Sequence, residues 1–145
     1  MLSATQLQEK IRTTIPLSDT MQFSITELTA SSIVVQAPLS PNVNIHGTGF
    51  AGSIYSLAVL TGWALVTHIM ELQDMVGDLV VAKAEIKYRR PVTDDILCQC
   101  NISEDELRQV TNQFAEKGKS RLALDIEVGD GEAMLSATFF IVSTG

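Results

Sequence analysis

Residues 44–63 read NIHGTGFAGSIYSLAVLTGW, and this stretch decides how the rest of the chain folds. It opens as a loop rich in Asn and Gly, then enters a run from Phe50 to Met70 that contains no Asp, Glu, Lys or Arg. Such a run predicts a helix, from about Ala51 to Leu72, that is buried on nearly all sides. A run of this length could also cross a bilayer. Because it holds several Ser and Thr residues and lacks closely flanking Lys or Arg, the sequence favours a core helix.

The segments on either side of this helix predict one antiparallel sheet. An amphipathic helix is expected over residues 3–15 and ends at Pro16. A capping box beginning at Ser103 opens another helix that runs to about Glu116. Strand-like segments joined by short turns lie at 21–28, 32–37, 80–88, 96–102, 121–128 and 133–142. One sheet around one apolar helix gives an α+β fold in a single domain spanning residues 1–145.

The third of these strands alternates clearly between apolar and charged residues. Such alternation is typical of a strand with one buried and one solvated face. The predicted buried set is Val80, Ala82, Ala84, Ile86 and Tyr88.

Composition limits the classes of partner. The formal net charge is −7, from 10 basic and 17 acidic residues, which argues against nucleic acid because phosphate neutralisation needs a basic face. Cys98 and Cys100 share a strand face, a poor geometry for a mutual disulfide, and two cysteines fall short of a zinc site. They predict buried thiols in a reducing compartment. With no apolar signal segment in the first twelve residues, a cytoplasmic location is expected.

The loop and helix start resemble the acyl-CoA thioesterases of the hot-dog fold. In the phenylacetate-pathway type the motif is N-x-x-G-T-x-H-G-G, four residues, then L-x-D. Residues 44–52 lie over its first part and residues 57–59 over its end, and IKYRRP at 86–91 resembles a strand ending in Y-x-x-P. The match is closer to the YiiD-type thioesterase domain, with G-T-x-F-x-G-S at 47–53 and Gly-Trp at 62–63.

This resemblance implies an antiparallel sheet wrapped around the long helix. It also implies hydrolysis of acyl thioesters, carried by coenzyme A or acyl-carrier protein, in a pocket between two subunits. A homodimer, or a dimer of dimers, is therefore expected. No cofactor is expected beyond the coenzyme A of the substrate, and no metal.

The chain departs from the phenylacetate-pathway type at its reactive group. The Asp of L-x-D is Val59 here, and the His and first Gly of H-G-G are Phe50 and Ala51. A Val side chain can neither attack a carbonyl nor polarise water. That carboxylate mechanism therefore does not carry over to this chain. It leaves open a second interpretation, an acyl-binding module without turnover.

Four residues are candidates for the chemistry itself. Gly52 matches the family's last Gly at the helix start, where unpaired N–H groups suit an oxyanion; the alternative is a Gly needed for packing. Asn44 matches the family's orienting Asn, or simply forms a turn. His46 is a candidate general base, or an ordinary surface residue. Ser53 could hold the attacking water, or serve the helix start.

Four further residues are candidates for substrate binding. Phe50 and Ser56 lie on either side of the helix start. Arg89 and Arg90 lie at the end of a strand where the family's cofactor phosphates often bind, and guanidinium groups suit phosphate. The alternative for both arginines is a solvated strand end. A dehydratase or hydratase, the third branch considered, pairs a His with a carboxylate, and His46 has no such partner at helix spacing.

Overall fold

The computed structural model describes residues 2–145, and it has the α+β architecture that the sequence predicts. One sheet of six strands runs in the order β1-β2-β4-β5-β6-β3, with neighbouring strands antiparallel. The elements in chain order are α1 Ala4–Thr14, α2 Pro16–Met21, β1 Ser24–Leu28, β2 Ser32–Ala37, α3 Ala51–Leu72, β3 Gly77–Tyr88, β4 Ile96–Asn101, α4 Glu104–Lys117, β5 Lys119–Val128 and β6 Ala133–Ser143.

Helix α3 is the core of the fold, and its bounds are those predicted. It packs against the inner face of the sheet, and the approach is close at Gly62. A Cβ added there would lie 2.9 Å from Cζ of Phe139 and 3.1 Å from Cδ1 of Ile126. The most apolar part of the helix is 67% buried inside the protein, which identifies it as a core helix despite its membrane-spanning length.

Strand β3 corrects the predicted apolar stripe. A bulge between Val81 and Lys83 inserts an extra residue, and an inserted residue shifts the alternation of side chains. Ile86 pairs with the buried Leu135 on the inner face, whereas Val80 pairs with the exposed Phe140 on the outer face. The predicted alternation is therefore correct after the bulge and wrong before it, although Tyr88, which was predicted to be buried, is 47% exposed.

The N-terminal segment also differs from the prediction. Pro16 ends α1 but begins a second short helix, α2, because proline is well suited to a first helical position. Gln22 closes α2 in the left-handed conformation. Strand β1 consequently starts at Ser24 and not at Met21.

The predicted burial of both cysteines and the predicted capping box are confirmed. Cys98 and Cys100 are free thiols, both buried, and burial raises the pKa of each to about 12. The Ser103 side chain accepts a hydrogen bond from the Glu106 backbone and completes the predicted capping box of α4.

Candidate functional site at the start of helix α3

The loop before α3 is held together by the side chain of Asn44. Its Oδ1 accepts from the backbone N–H groups of His46 at 2.9 Å and Thr48 at 3.1 Å. Its Nδ2 donates to Thr48 Oγ1 at 2.9 Å and to the Gly49 carbonyl at 3.3 Å. Since the amide is engaged on both sides, the geometry supports the turn-forming interpretation of Asn44.

Backbone bonds then fix where the helix begins. The Gly49 N–H donates to the Val92 carbonyl at 2.7 Å, and the Phe50 N–H donates to the Asn42 carbonyl at 2.8 Å. Asn42 is itself buried, and its amide donates to the carbonyls of Met21 and Pro38. Sequence reasoning missed this anchor, which only the tertiary contacts reveal.

His46 lies at the exposed tip of the loop. Its neighbour Ile45 is 94% exposed, so the tip extends away from the core. Within residues 2–145 no carboxylate forms an ion pair with the His46 ring. The structure thus leaves this imidazole free to approach a substrate but does not orient it.

The first turn of α3 presents unpaired backbone donors. Phe50 is the N-cap, and its side chain makes no capping hydrogen bond. The first backbone bond of the helix is that of the Ile54 N–H to the Phe50 carbonyl, 3.0 Å, so the N–H groups of Ala51, Gly52 and Ser53 precede the helical ladder. Gly52 and Ser53 are half-buried there.

Gly52 also lies directly beneath an aromatic ring. A Cβ at this position would approach Cε2 of Phe50 to 2.6 Å, closer than real Cβ atoms come. Because the Phe50 side chain is 53% exposed, its ring has room to turn away. The structure therefore retains both interpretations of Gly52, and it joins Phe50 to the same site.

Two tyrosines that were not among the predicted site residues adjoin this turn. Tyr88, at the end of β3, donates from Oη to the Ala51 carbonyl at 2.8 Å. Burial, reinforced by the nearby Tyr55, raises the pKa of Tyr88. The only signal in the sequence was the Y-x-x-P match and the inward register of Tyr88 on its strand.

Beyond its first turn, α3 borders an apolar cavity of about 280 Å³. The helix contributes Tyr55, Ser56, Val59, Leu60 and Trp63 to its wall. Val59 thus faces an apolar space, and no Asp or Glu is among the residues that line it. Ser56 is among the residues that line this cavity, and its predicted place in substrate binding stays a prediction.

His68, the other histidine, lies far from this site. It is sixteen residues beyond Gly52, about 24 Å along the helix at about 1.5 Å per residue. It is buried, and desolvation lowers its pKa. It therefore belongs to the packed end of α3, as the sequence indicated.

The two arginines after β3 differ in their surroundings. Arg90 donates from Nη2 to the Asp130 carbonyl at 2.9 Å and lies 3.4 Å from Glu132 Oε1, so it braces the turn between β5 and β6. The Arg89 backbone N–H donates to the Glu132 carbonyl, while its side chain is exposed and lacks an ion pair within residues 2–145. Of the two guanidinium groups, that of Arg89 is the more available to a phosphate.

Comparison with known proteins agrees with this architecture. A family model described as "Putative thioesterase (yiiD_Cterm)" matches residues 4–141. A putative thioesterase from Shewanella oneidensis is 32% identical, with a TM-score of 0.85 and coverage of 96% of each chain. A protein of unknown function from Chlorobaculum tepidum is 25% identical, with a TM-score of 0.92 over 97% of this chain and 94% of the other.

A thioesterase from Haemophilus influenzae, 11% identical, shares the fold alone, with a TM-score of 0.72 over 99% of this chain and 92% of that one. The hot-dog fold implied by the resemblance is therefore confirmed: a six-stranded antiparallel sheet around one long helix.

Proposed function

The chain belongs to the YiiD-type thioesterase family, and from that membership we propose that it hydrolyses acyl thioesters of coenzyme A or acyl-carrier protein at the start of α3. The observation that supports this most is the open first turn at Gly52, which lies beside an apolar cavity. One element thus offers hydrogen-bond donors for a carbonyl and a surface for an acyl chain. Coenzyme A enters as part of the substrate, and no other cofactor is invoked.

The role of the helix start is to stabilise the negative charge that develops on the thioester oxygen. Helix N-termini carry unpaired N–H groups and a partial positive charge. The loss of one such donor costs about 3–4 kcal/mol of transition-state stabilisation in other enzymes. Gly52 has no side chain to keep a substrate from the backbone.

The attacking water needs a base other than a carboxylate on α3. Val59 cannot supply one, so His46 is the proposed general base, with the hydroxyls of Ser53 and Ser56 holding the water. A His46→Ala variant should lower kcat by about 10²–10⁴-fold, the usual contribution of a general base. A kcat unchanged by the substitution would remove His46 from the mechanism.

A second copy of the chain is proposed to complete the site. Strand β3 is an edge of the sheet, and its inner face carries apolar side chains that α3 does not fully cover, including Val81 at 39% exposure and Tyr88 at 47%. An exposed apolar edge strand is a template for pairing with another chain. A homodimer through β3 would cover this face and bring two helix starts towards one interface.

The dimer proposal has a direct test. Val81→Lys places a charge on the edge strand, which opposes pairing. Analytical ultracentrifugation should show a dimer for the unaltered chain and a monomer for the variant, and the monomer should be inactive. A fully active monomer would contradict the shared site.

Hydrolysis itself is tested with acyl-CoA substrates from acetyl to palmitoyl, with release of free thiol as the measurement. No turnover above background at any chain length would refute the enzyme. The alternative is a module that binds acyl thioesters without hydrolysis, which Val59 favours because it stands where the phenylacetate-pathway type has its reactive carboxylate. Tight acyl-CoA binding with no thiol release would establish that alternative.

A further inference from the structure

The chain that follows strand β3 holds the first turn of α3 from both sides of its N-cap. The Tyr88 hydroxyl donates to the Ala51 carbonyl at 2.8 Å, just inside the helix. Shortly after Tyr88, the Val92 carbonyl accepts the Gly49 N–H at 2.7 Å, just before the helix. One short segment of chain therefore fixes the backbone on either side of Phe50.

The contact of Tyr88 singles out one of the three unpaired donors of this turn. The N–H groups of Ala51, Gly52 and Ser53 precede the helical ladder, and each shares a planar peptide group with the carbonyl of the residue before it. The carbonyls concerned are those of Phe50, Ala51 and Gly52. Within residues 2–145, only the Ala51 carbonyl among these accepts a hydrogen bond from a side chain. The tyrosine therefore binds the peptide group that carries the Gly52 N–H.

A hydrogen bond at one end of a peptide group changes the donor at the other end. A donor on the carbonyl draws electron density from the amide nitrogen, so the N–H becomes a stronger donor; hydrogen bonds in such chains strengthen one another by about 10–30%. The bond to Tyr88 also limits rotation of a peptide group whose N–H has no partner of its own. Gly52 is the residue that the motif at 44–52 matches independently, and that motif does not include Tyr88.

The surroundings of Tyr88 keep its hydroxyl in the donating form. Tyr88 is the last residue of β3 and pairs with the buried Ala133, so its side chain lies on the face of the sheet that carries α3. Burial, reinforced by Tyr55, raises the pKa of Tyr88, and the hydroxyl therefore stays protonated through the neutral pH range.

We propose that Tyr88 is a positioning residue for hydrolysis, whose hydroxyl orients and strengthens the Gly52 N–H through the peptide group that this N–H shares with the Ala51 carbonyl. The inference rests on the proposed function and adds a residue of β3 to a site formed by α3. Tyr88 touches neither the substrate nor the attacking water in this role, and its proton stays in place. A stronger donor gains more from a developing negative charge than from a neutral carbonyl, so the contribution is made mainly in the transition state.

Tyr88→Phe tests this role because it removes the hydroxyl and keeps the ring. An oxyanion donor contributes about 10²–10³-fold to kcat, so a change of about 10–30% in its strength corresponds to a loss of about 2–8-fold in kcat. KM should stay within about twofold, because the gain is made in the transition state. Since Tyr88 is 47% exposed, the melting temperature should fall by only a few degrees. The matched control is Ser136→Ala, which removes an exposed hydrogen bond of 2.7 Å to Asp125 and should leave kcat unchanged.

A double-mutant cycle separates this role from ordinary support of the fold. In the Gly52→Ala background the methyl group keeps the thioester from the Gly52 N–H. If Tyr88 acts through that N–H, Tyr88→Phe should therefore cause no further loss of kcat in this background. An equal loss of kcat in both backgrounds would show that Tyr88 acts by another route and overturns the proposal. A kcat for Tyr88→Phe equal to that of the unaltered chain overturns it as well.

A second measurement, by NMR on isotope-labelled protein, needs no substrate. The amide resonance of Gly52 reports the hydrogen bond on the carbonyl of its own peptide group, and Phe retains the ring-current effect of Tyr88. Tyr88→Phe should shift the Gly52 amide proton upfield, whereas Ser136→Ala should not. A Gly52 resonance that does not move overturns the proposal even if kcat falls. If the unaltered chain hydrolyses no acyl thioester, the proposed function fails, and the NMR shift alone then decides whether Tyr88 strengthens the Gly52 donor.

Discussion

Substitution of Gly52 by alanine separates a catalytic role from a packing role at the helix start. The new Cβ would lie 2.6 Å from the Phe50 ring, which must swing away. Because that ring is half-exposed, and because alanine is favoured over glycine in helices by up to about 1 kcal/mol, the free energy of unfolding should change by less than about 1 kcal/mol. The turnover number should instead fall by about 10²–10³-fold, because the methyl group would keep the thioester from the backbone N–H groups and so have the effect of losing one oxyanion donor.

The assay combines thermal unfolding with hydrolysis of the best acyl-CoA substrate. A double-mutant cycle with Phe50→Ala supplies the control, since removal of the ring abolishes the clash. If Gly52 gives the substrate access to backbone N–H groups, the double variant stays about 100-fold below Phe50→Ala alone. If Gly52 serves only to accommodate the ring, the double variant equals Phe50→Ala, and the oxyanion assignment is refuted.

Three further outcomes are expected. Gly62→Ala forces a methyl group against the buried Phe139 ring and should lower the free energy of unfolding by about 1–3 kcal/mol. The turnover per folded molecule should be retained. An unchanged melting temperature would contradict this packing. Asn44→Ala removes the bonds that close the loop and should lower stability by about 1–3 kcal/mol, whereas a loss of turnover at constant melting temperature would instead indicate a direct role. Burial raises the thiol pKa of Cys98 and Cys100 from 9.0 to about 12 in the folded state, so between these pH values the thiols ionise only in the unfolded chain. Urea titrations should therefore show a free energy of unfolding that is fully retained below pH 9 and declines towards pH 12. A free energy of unfolding that does not change over this range would refute the raised pKa values.

The main helix could be predicted from sequence because its signals are local. An uncharged run that follows a Gly-rich loop sets the bounds of α3 without knowledge of any partner. The bulge at Val81 could not be predicted, because the position of an inserted residue depends on how β3 pairs with β6. The alternation of apolar and charged residues in the sequence continues through this position without interruption. Helix α2 was missed for a related reason: Pro16 is compatible with both the end of one helix and the start of another.

The candidate site likewise has features that the sequence predicts and features that depend on tertiary contacts. The position of Gly52 at the first turn follows from the motif and the helix boundary. The engagement of Asn44 within its own loop, and the contact of Tyr88 with Ala51, depend on distances that spacing along the chain does not encode. The cavity depends on the short helix α2, an element absent from the predicted fold.

The presence of an apolar Val59 where the phenylacetate-pathway type has an Asp, and the presence of the cavity, have one physical explanation. A carboxylate at this position would face the apolar wall formed with Leu60 and Trp63, where burial disfavours its charged form. A branched apolar side chain there extends the surface available to an acyl tail and removes that desolvation cost. In the proposed mechanism the base comes from outside this wall, on the exposed loop that carries His46 and precedes the helix start. Binding of the tail and activation of water would thus be carried by separate elements, so that Val59→Phe should impair the first and His46→Ala the second.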